Sequence, residues 1–231
     1  MESTPTRKLL AADAAPAFVP NRFRDPLYHV EDGAMGETYG AKLGKWCYEH
    51  RDKFVRGGDE RGDQRFNYEL CDLDNFIPTE LIAPFKKKLI ATTADPKALE
   101  SLNIPAFDLR FVEIHATLYH HGSHFIWHDD APGYDGELVP SRRATFCYYM
   151  HSTPKMFSGG ELEFLDGTLV EPKNDRLCLF HPIQQHRVKR VECWSSHVLH
   201  GRWALMGWVH GEPPEGWVER MPELRGPPAK G

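Results

Sequence analysis

The chain has 231 residues, of which 41% are hydrophobic, and a formal net charge of −5. This composition is typical of one globular domain with a sizeable core, and the acidic balance argues against a nucleic-acid-binding surface. No apolar run approaches eighteen residues, so no membrane span is predicted. The N-terminus has only a short apolar stretch and an early acid, so no secretion signal is expected.

The predicted elements divide the chain into three parts. Residues 1–30 contain prolines without a sustained period, and we expect an N-terminal arm. Residues 31–212 are expected to form a single domain, with supporting helices in 34–102 and a β-barrel core in 107–210. Residues 213–231 are rich in Pro and Gly and are expected to form an irregular tail.

In the supporting part, apolar residues at near-helical spacing predict a helix between Ala34 and Phe54. The alternating run 65–72 predicts a strand. Pro78-Thr79 begins a second helix, with Thr79 or Asp74 as its N-cap. Its predicted buried stripe is Leu81, Ile82, Phe85, Leu89 and Ile90. A further short helix runs from Pro96 to Leu102.

The run 107–119 predicts the first long strand, with one apolar face formed by Val112, Ile114, Ala116 and Leu118. The five cysteines are scattered and form no CxxC pair. Unpaired thiols fit a reducing compartment, so we expect a cytoplasmic protein.

His128 and Asp130 lie two residues apart. In an extended strand such residues point to the same face, so an imidazole and a carboxylate can converge on one ion. Two histidines and one carboxylate on one face of an octahedron is the arrangement of non-haem Fe(II) oxygenases. The pair alone is a weak signal, because the chain contains 13 histidines.

A third ligand has two nearby candidates, His181 and His186, which follow a predicted apolar strand in 174–180. His181 directly follows the strand and Pro182 ends it, so a capping role is the alternative for His181. His186 opens a second run that contains valines. The spacing leaves both candidates open.

Arg202 begins a run in which alternation places Arg202, Ala204, Met206 and Trp208 on one face. An inward-facing arginine is unfavourable unless it is paired. A small-molecule carboxylate would pair with it through two parallel hydrogen bonds. A salt bridge to a protein Asp or Glu is the alternative.

Over residues 109–210 the chain resembles the Fe(II)/2-oxoglutarate-dependent oxygenases, and within them the prolyl-4-hydroxylase-like group. The matching motifs are Leu118-Tyr119 before His128-x-Asp130, the strand Arg143-Ala-Thr-Phe-Cys-Tyr-Tyr-Met-His151, Gly159-Gly-Glu-Leu162 ("GGEL"), His186-Arg-Val188 ("H-E-V") and Arg202-Trp-Ala-Leu-Met-Gly-Trp208 ("R-x-x-x-T-x-W"). The chain departs from the family in a longer segment 192–200 and in Met206, which replaces a threonine.

The resemblance implies roles for individual residues. His128, Asp130 and His186 would ligate Fe(II), so His186 is preferred over His181. Arg202 would hold the distal carboxylate of 2-oxoglutarate. Tyr149 would donate a hydrogen bond to the same carboxylate, and Tyr119 would line the pocket. Segments after the His-x-Asp pair contact substrate in this family, so the candidate substrate contacts are Asp129, Tyr134 and Arg142.

The implied fold is mainly β with flanking helices, a double-stranded β-helix (jelly roll, cupin-like). The implied activity uses Fe(II), 2-oxoglutarate and O2, and ascorbate is an optional further cofactor. It would hydroxylate an unactivated C–H bond of an amino acid resembling proline, free or within a peptide or protein, and release succinate and CO2. A carboxylate at Asp130 favours hydroxylation over halogenation. Trp208 stands where the nucleic-acid demethylases of the superfamily carry a second arginine, which argues against that activity.

Two alternative functions stay open. The first is a tailoring oxygenase that acts on a small molecule in a biosynthetic pathway. The second is a non-catalytic barrel that binds a metal or a ligand as a sensor. The expected partner is an amino-acid, peptide or small-molecule substrate, with no nucleic acid and no membrane. The sequence does not indicate an oligomeric state.

Overall fold

The structure, a computed structural model, describes residues 28–57, 66–73, 76–132, 138–213 and 215. Most of the predicted N-terminal arm, the candidate substrate residue Tyr134 and most of the predicted tail lie outside the described residues. Among the helices of this described part, none has the length and apolar character that crossing a membrane requires.

Three α-helices and thirteen β-strands are formed by the described residues. The helices are α1 (Glu37–Glu49), α2 (Thr79–Ala94) and α3 (Pro96–Leu102). The strands are β1 (Tyr28–Asp32), β2 (Val55–Gly57), β3 (Phe66–Asp72), β4 (Leu109–Tyr119), β5 (His124–His128), β6 (Arg142–Met150), β7 (Phe157–Gly159), β8 (Leu162–Phe164), β9 (Leu169–Val170), β10 (Arg176–Phe180), β11 (His186–Val188), β12 (Val191–Cys193) and β13 (Arg202–Gly211). Short 3-10 turns lie at Arg51–Lys53 and Val198–His200.

The helices lie where the sequence predicted them, but two details of α2 were wrong. Pro78, not Thr79, occupies the N-cap position, and no side chain caps the helix there. Ile90 is 46% exposed. The buried face of α2 follows Ile82, Phe85 and Leu89 at spacings of three and four. Ile90 follows Leu89 by one residue and is therefore turned about 100° away from that stripe.

The strands form a barrel from two antiparallel layers that share β3. The first layer has the strand order β1-β10-β6-β13-β4-β3, and β2 also pairs with β3. The second layer has the order β3-β5-β11-β8-β9. The second half of β3 pairs with β4 and its first half pairs with β5, so this strand joins the layers. β12 and β7 form a separate pair. This architecture confirms the predicted double-stranded β-helix with flanking helices.

Strand alternation separates two apolar cores. On β6, Phe146 and Tyr148 pack with the helices in the first core, whereas Cys147 and Tyr149 belong to the second core, inside the barrel. The predicted apolar face of β4 lies in the first core, where Val112, Ile114, Ala116 and Leu118 are buried. The opposite faces of β4, β6 and β13 are thereby left to form the interior of the barrel.

A buried carboxylate fixes the start of α1 to the barrel. Asp175 lies in the turn before β10, with φ of 59°, and is 3% exposed. Its side chain accepts hydrogen bonds from the backbone N–H groups of Met35 (2.9 Å) and Gly36 (2.8 Å) and from the hydroxyl of Tyr148 (2.8 Å). A single side chain thus satisfies donors from the helix start and from the sheet.

Candidate metal centre and the cavity beside it

Three side chains converge inside the barrel, two from paired strands and one from the segment that follows β5. His128 ends β5, His186 begins β11, and the two residues lie opposite each other in the ladder. Asp130 follows β5 by two residues. Nε2 of His128 is 3.8 Å from Asp130 Oδ1, and Nε2 of His186 is 3.7 Å from Asp130 Oδ2. The three possible ligand atoms lie within 4.8 Å of one another, a grouping that could hold one metal ion.

Main-chain carbonyl groups orient both imidazole rings. Nδ1 of His128 is 2.9 Å from the carbonyl oxygen of Ile126, and Nδ1 of His186 is 2.8 Å from that of Gln184. Because a carbonyl oxygen can only accept, each Nδ1 carries the proton and each Nε2 lone pair faces the centre. Desolvation, and then the neighbouring His186, lower the pKa of His128 to about 4. Both features suit a neutral imidazole ligand.

Asp130 is held by contacts other than a strand ladder. The extended-strand argument placed it on the same strand as His128, but β5 ends at His128. Its backbone N–H donates to the carbonyl oxygen of Pro182 (2.8 Å), and Nη1 of Arg142 donates to its carbonyl oxygen (2.9 Å). The hydroxyl of Thr145 donates to Asp130 Oδ2 (2.9 Å). Asp130 is 6% exposed, so this carboxylate faces the cavity and not bulk water.

His181 does not join the three converging side chains. It is buried, and its Nδ1 accepts a hydrogen bond from the backbone N–H of Ile183 (3.2 Å) in the turn between β10 and β11. Burial lowers the pKa of His181 to about 3. The predicted alternative for this residue, a capping role, matches this contact. Of the two candidate histidines, the structure brings His186 to Asp130.

Arg202 lies at the far end of the same cavity and is 2% exposed. Its Nε donates to the carbonyl oxygen of Gly160 (2.7 Å). Its guanidinium lies 4.8 Å from the ring centre of Tyr119 and 4.9 Å from that of Tyr149. Within the described residues, no carboxylate forms an ion pair with Arg202, which removes the alternative of an internal salt bridge there. Two terminal nitrogens therefore remain for a ligand.

The other predicted contact for this ligand is the hydroxyl of Tyr149. It is buried, and among the described residues it has no hydrogen-bond partner. Burial raises the pKa of this phenol well above its usual value, so the hydroxyl keeps its proton and can donate a hydrogen bond.

Two consecutive glycines allow the backbone to approach Arg202. Gly159 and Gly160 both have φ of 72°, a conformation that favours glycine. A Cβ at Gly160 would lie 2.6 Å from Cδ of Arg202, and one at Gly159 would lie 2.0 Å from the carbonyl oxygen of Arg190. The Gly-Gly turn of the sequence motif therefore shapes the Arg202 end of the cavity.

The cavity wall between the two polar ends is mainly apolar. Tyr119 lines it, as the resemblance implied. Met206 also lines it, so a thioether stands where the family places a threonine hydroxyl. The other apolar lining residues are Phe125, Leu162, Phe180, Val188 and Ala204. Such a wall limits the water around a ligand that bridges the two ends.

The three candidate substrate residues have different positions. Asp129 accepts a hydrogen bond from the backbone N–H of Ala131 (3.2 Å). Arg142 is 8% exposed, donates to the carbonyl oxygens of Asp130 and Pro132 and lies 3.7 Å from the ring centre of Trp208. Neither Asp129 nor Arg142 lines the cavity. Tyr134 lies outside the described residues, and the substrate contacts stay predictions.

Sequence reasoning missed a polar cluster on the inner faces of β4 and β13. The carboxylate of Glu113 lies 3.0 Å from Nε2 of His115 and 3.3 Å from Nε2 of His210. These hydrogen bonds lower the pKa of Glu113 to about 2. Trp208 lies directly opposite Glu113 in the ladder. Alternation along β4 offered a signal, because Glu113 and His115 fall on its non-apolar face.

Comparisons with known proteins agree with this geometry. Residues 114–210 match the family model of the 2OG-Fe(II) oxygenase superfamily. An uncharacterized PKHD-type hydroxylase from Synechocystis sp. is 31% identical over 127 residues, which cover 49% of this chain and 41% of the relative. The chain thus spans about two fifths of the length of this curated relative.

Two solved structures are similar in fold. A prolyl-4-hydroxylase from Pseudomonas putida has a TM-score of 0.58 at 17% identity, covering 81% of this chain and 94% of that chain. A viral collagen prolyl hydroxylase from Paramecium Bursaria Chlorella virus-1 has a TM-score of 0.55 at 18% identity, covering 80% and 97%. The matched segment 114–210 contains the three converging side chains and Arg202. Over residues 114–210 the chain is thus similar to the 2OG-Fe(II) oxygenase superfamily, and its fold is similar to that of the two prolyl hydroxylases.

Proposed function

We propose that the protein is a 2-oxoglutarate-dependent dioxygenase that hydroxylates an unactivated C–H bond and releases succinate and CO2. One observation carries this proposal: a single cavity joins His128, Asp130 and His186 at one end to Arg202 at the other. A protein that only bound a metal would not need a buried arginine at the other end of the cavity with no internal ion pair.

The side chains at the two ends of the cavity have different roles. His128, Asp130 and His186 would hold Fe(II) on one face and leave the other positions open. Iron bound there supplies the activation of O2 and the oxidation of the substrate. Arg202 pairs with the distal carboxylate of 2-oxoglutarate through two parallel hydrogen bonds. The apolar wall excludes water and so strengthens this pairing.

The Tyr149 hydroxyl donates a further hydrogen bond to the same carboxylate. Its raised pKa keeps it protonated at neutral pH. Together, the guanidinium and the phenol fix the position of the co-substrate relative to the metal-facing groups.

The substrate we propose is an amino acid resembling proline, free or within a peptide. Two proteins of similar fold are named as prolyl hydroxylases, which supports this choice.

Succinate formation tests the proposal. The purified protein is loaded with Fe(II), supplied with 2-oxoglutarate and O2, and offered panels of free amino acids and proline-containing peptides. Succinate is quantified, and mass spectrometry detects products that have gained one oxygen atom. His128→Ala and His186→Ala should lose both metal and succinate formation, whereas His181→Ala should retain the metal.

Each outcome distinguishes the functional hypotheses. Oxidised peptides or amino acids support the proposed substrate class. Turnover with small non-peptide molecules alone favours the tailoring oxygenase. An iron-loaded protein that never consumes 2-oxoglutarate contradicts the enzymatic proposal and favours the sensory barrel.

A further inference from the structure

The carboxylate of Asp130 has its own hydrogen-bond donor inside the barrel. Thr145 lies on β6 and is 1% exposed, and its Oγ is 2.9 Å from Asp130 Oδ2. An ionised carboxylate can only accept, so the hydroxyl is the donor. Oδ2 therefore has a donor in the protein and also lies 3.7 Å from Nε2 of His186, while Oδ1 lies 3.8 Å from Nε2 of His128.

Other contacts of Asp130 fix its backbone but not its carboxylate. The carbonyl oxygen of Pro182 accepts from its N–H, and Arg142 donates to its carbonyl oxygen. Neither contact restricts rotation of the carboxylate group about its own bond. The two histidines obtain the equivalent restriction from main-chain carbonyls. For Asp130, the Thr145 side chain provides it.

We infer that Thr145 is a positioning residue of the metal centre, whose hydroxyl holds the Asp130 carboxylate in its orientation toward His128 and His186. The inference rests on the proposed function, because it takes Asp130 as a ligand of Fe(II). With Oδ2 held by Thr145, the carboxylate stays turned toward the Nε2 atoms of both histidines. Removing a partner of a ligating group typically lowers metal affinity about 10–100-fold.

Three variants separate positioning from packing. Thr145→Val keeps the side-chain shape and removes the hydroxyl, and Thr145→Ser restores the hydroxyl. Thr117→Val is the matched control. Thr117 is also buried on the barrel interior, but its hydroxyl donates to the main-chain oxygen of Ala204 (3.2 Å) and not to Asp130.

Metal-free protein is titrated with Mn²⁺, a stand-in for Fe(II) that also binds N and O ligands, and thermal unfolding is recorded without metal. We expect Thr145→Val to weaken Mn²⁺ binding by about tenfold or more. Thr145→Ser should bind Mn²⁺ close to the wild-type affinity, and Thr117→Val should bind it as wild type does. Both valine variants lose one buried hydrogen bond, so both should show a lower Tm in the metal-free state.

Wild-type Mn²⁺ affinity in Thr145→Val would overturn the inference, even with a lower Tm, because Thr145 would then contribute stability alone. If Thr145→Val does not fold, Thr145→Ala is titrated in its place under the same criterion. Wild-type protein that binds no Mn²⁺ would overturn the proposed metal centre, and the inference with it. The wild-type titration thus distinguishes the two failures.

Discussion

Replacing Arg202 with glutamine should weaken 2-oxoglutarate binding and leave the metal centre intact. Glutamine removes the charge but keeps an amide that can still reach the carbonyl oxygen of Gly160, which now accepts from Arg202 Nε at 2.7 Å. It also keeps most of the apolar stem, while the guanidinium that lies over the rings of Tyr119 and Tyr149 is lost. The change therefore targets the two terminal nitrogens that face the cavity.

The magnitude follows from those two nitrogens. A hydrogen bond to a charged group contributes about 1.5–3 kcal/mol, so the loss of two costs about 3–6 kcal/mol. Because each 1.4 kcal/mol corresponds to about a tenfold change in affinity, the Kd for 2-oxoglutarate should rise about 100-fold or more. The metal-facing groups do not contact Arg202, so Mn²⁺ affinity should be unchanged.

Calorimetric titration of Mn²⁺-loaded protein with 2-oxoglutarate measures this effect. Arg187→Gln is the matched control, because Arg187 lies on β11 beside His186 but forms an ion pair with Glu163 (2.8 Å) and does not line the cavity. An Arg202→Gln protein that binds 2-oxoglutarate with wild-type affinity would refute the assignment of Arg202 as the carboxylate-binding residue. Equal loss in both variants would point to a general loss of positive charge.

Three further predictions concern glycine geometry, a buried carboxylate and pH. Gly160→Ala should weaken 2-oxoglutarate binding, because its Cβ would lie 2.6 Å from Cδ of Arg202. Gly167→Ala is the control: Gly167 has φ of 87°, so the substitution causes similar backbone strain. No atom lies within 4 Å of its Cβ, so the affinity for 2-oxoglutarate should be unchanged. Asp175→Asn should lower the free energy of unfolding in urea by about 2–3 kcal/mol, because an amide oxygen replaces a charged acceptor for three donors; an unchanged urea midpoint would contradict this. Glu113 has its pKa lowered from 4.5 to about 2. Its contribution is therefore present above pH 4.5 and is lost as pH falls through about 2. Wild type should lose more stability than Glu113→Gln between pH 6 and pH 3 in urea unfolding, and equal losses would argue against the hydrogen bonds as the cause.

The parts of the fold that sequence predicted are those set by local periodicity. Helical spacing located α1 and α2, the proline at its start located α3, and alternation located the apolar face of β4. The same reasoning failed for Ile90, because a single apolar residue beside a stripe carries no information about the width of the buried face. The joining of the two layers by β3 was also beyond reach, because which strands pair depends on contacts between distant parts of the chain.

The site was predictable to the extent that its residues lie in short motifs. His128, Asp130, His186 and Arg202 were identified by residue type, spacing and resemblance. Spacing could not choose between His181 and His186, because both follow the same strand. The choice depends on β11 pairing with β5, which places His186 opposite His128.

The three side chains of the candidate centre are oriented by different kinds of group, and this difference determines which substitutions should change the metal affinity. Each histidine is oriented by a main-chain carbonyl, which substitutions elsewhere largely preserve. Asp130 lies beyond the end of its strand and depends on side chains from β6, where Thr145 holds its carboxylate and Arg142 its backbone. Substitutions that change metal affinity without replacing a ligand should therefore concentrate around Asp130. The histidines should tolerate changes around them, provided that the pairing of β5 with β11 is kept.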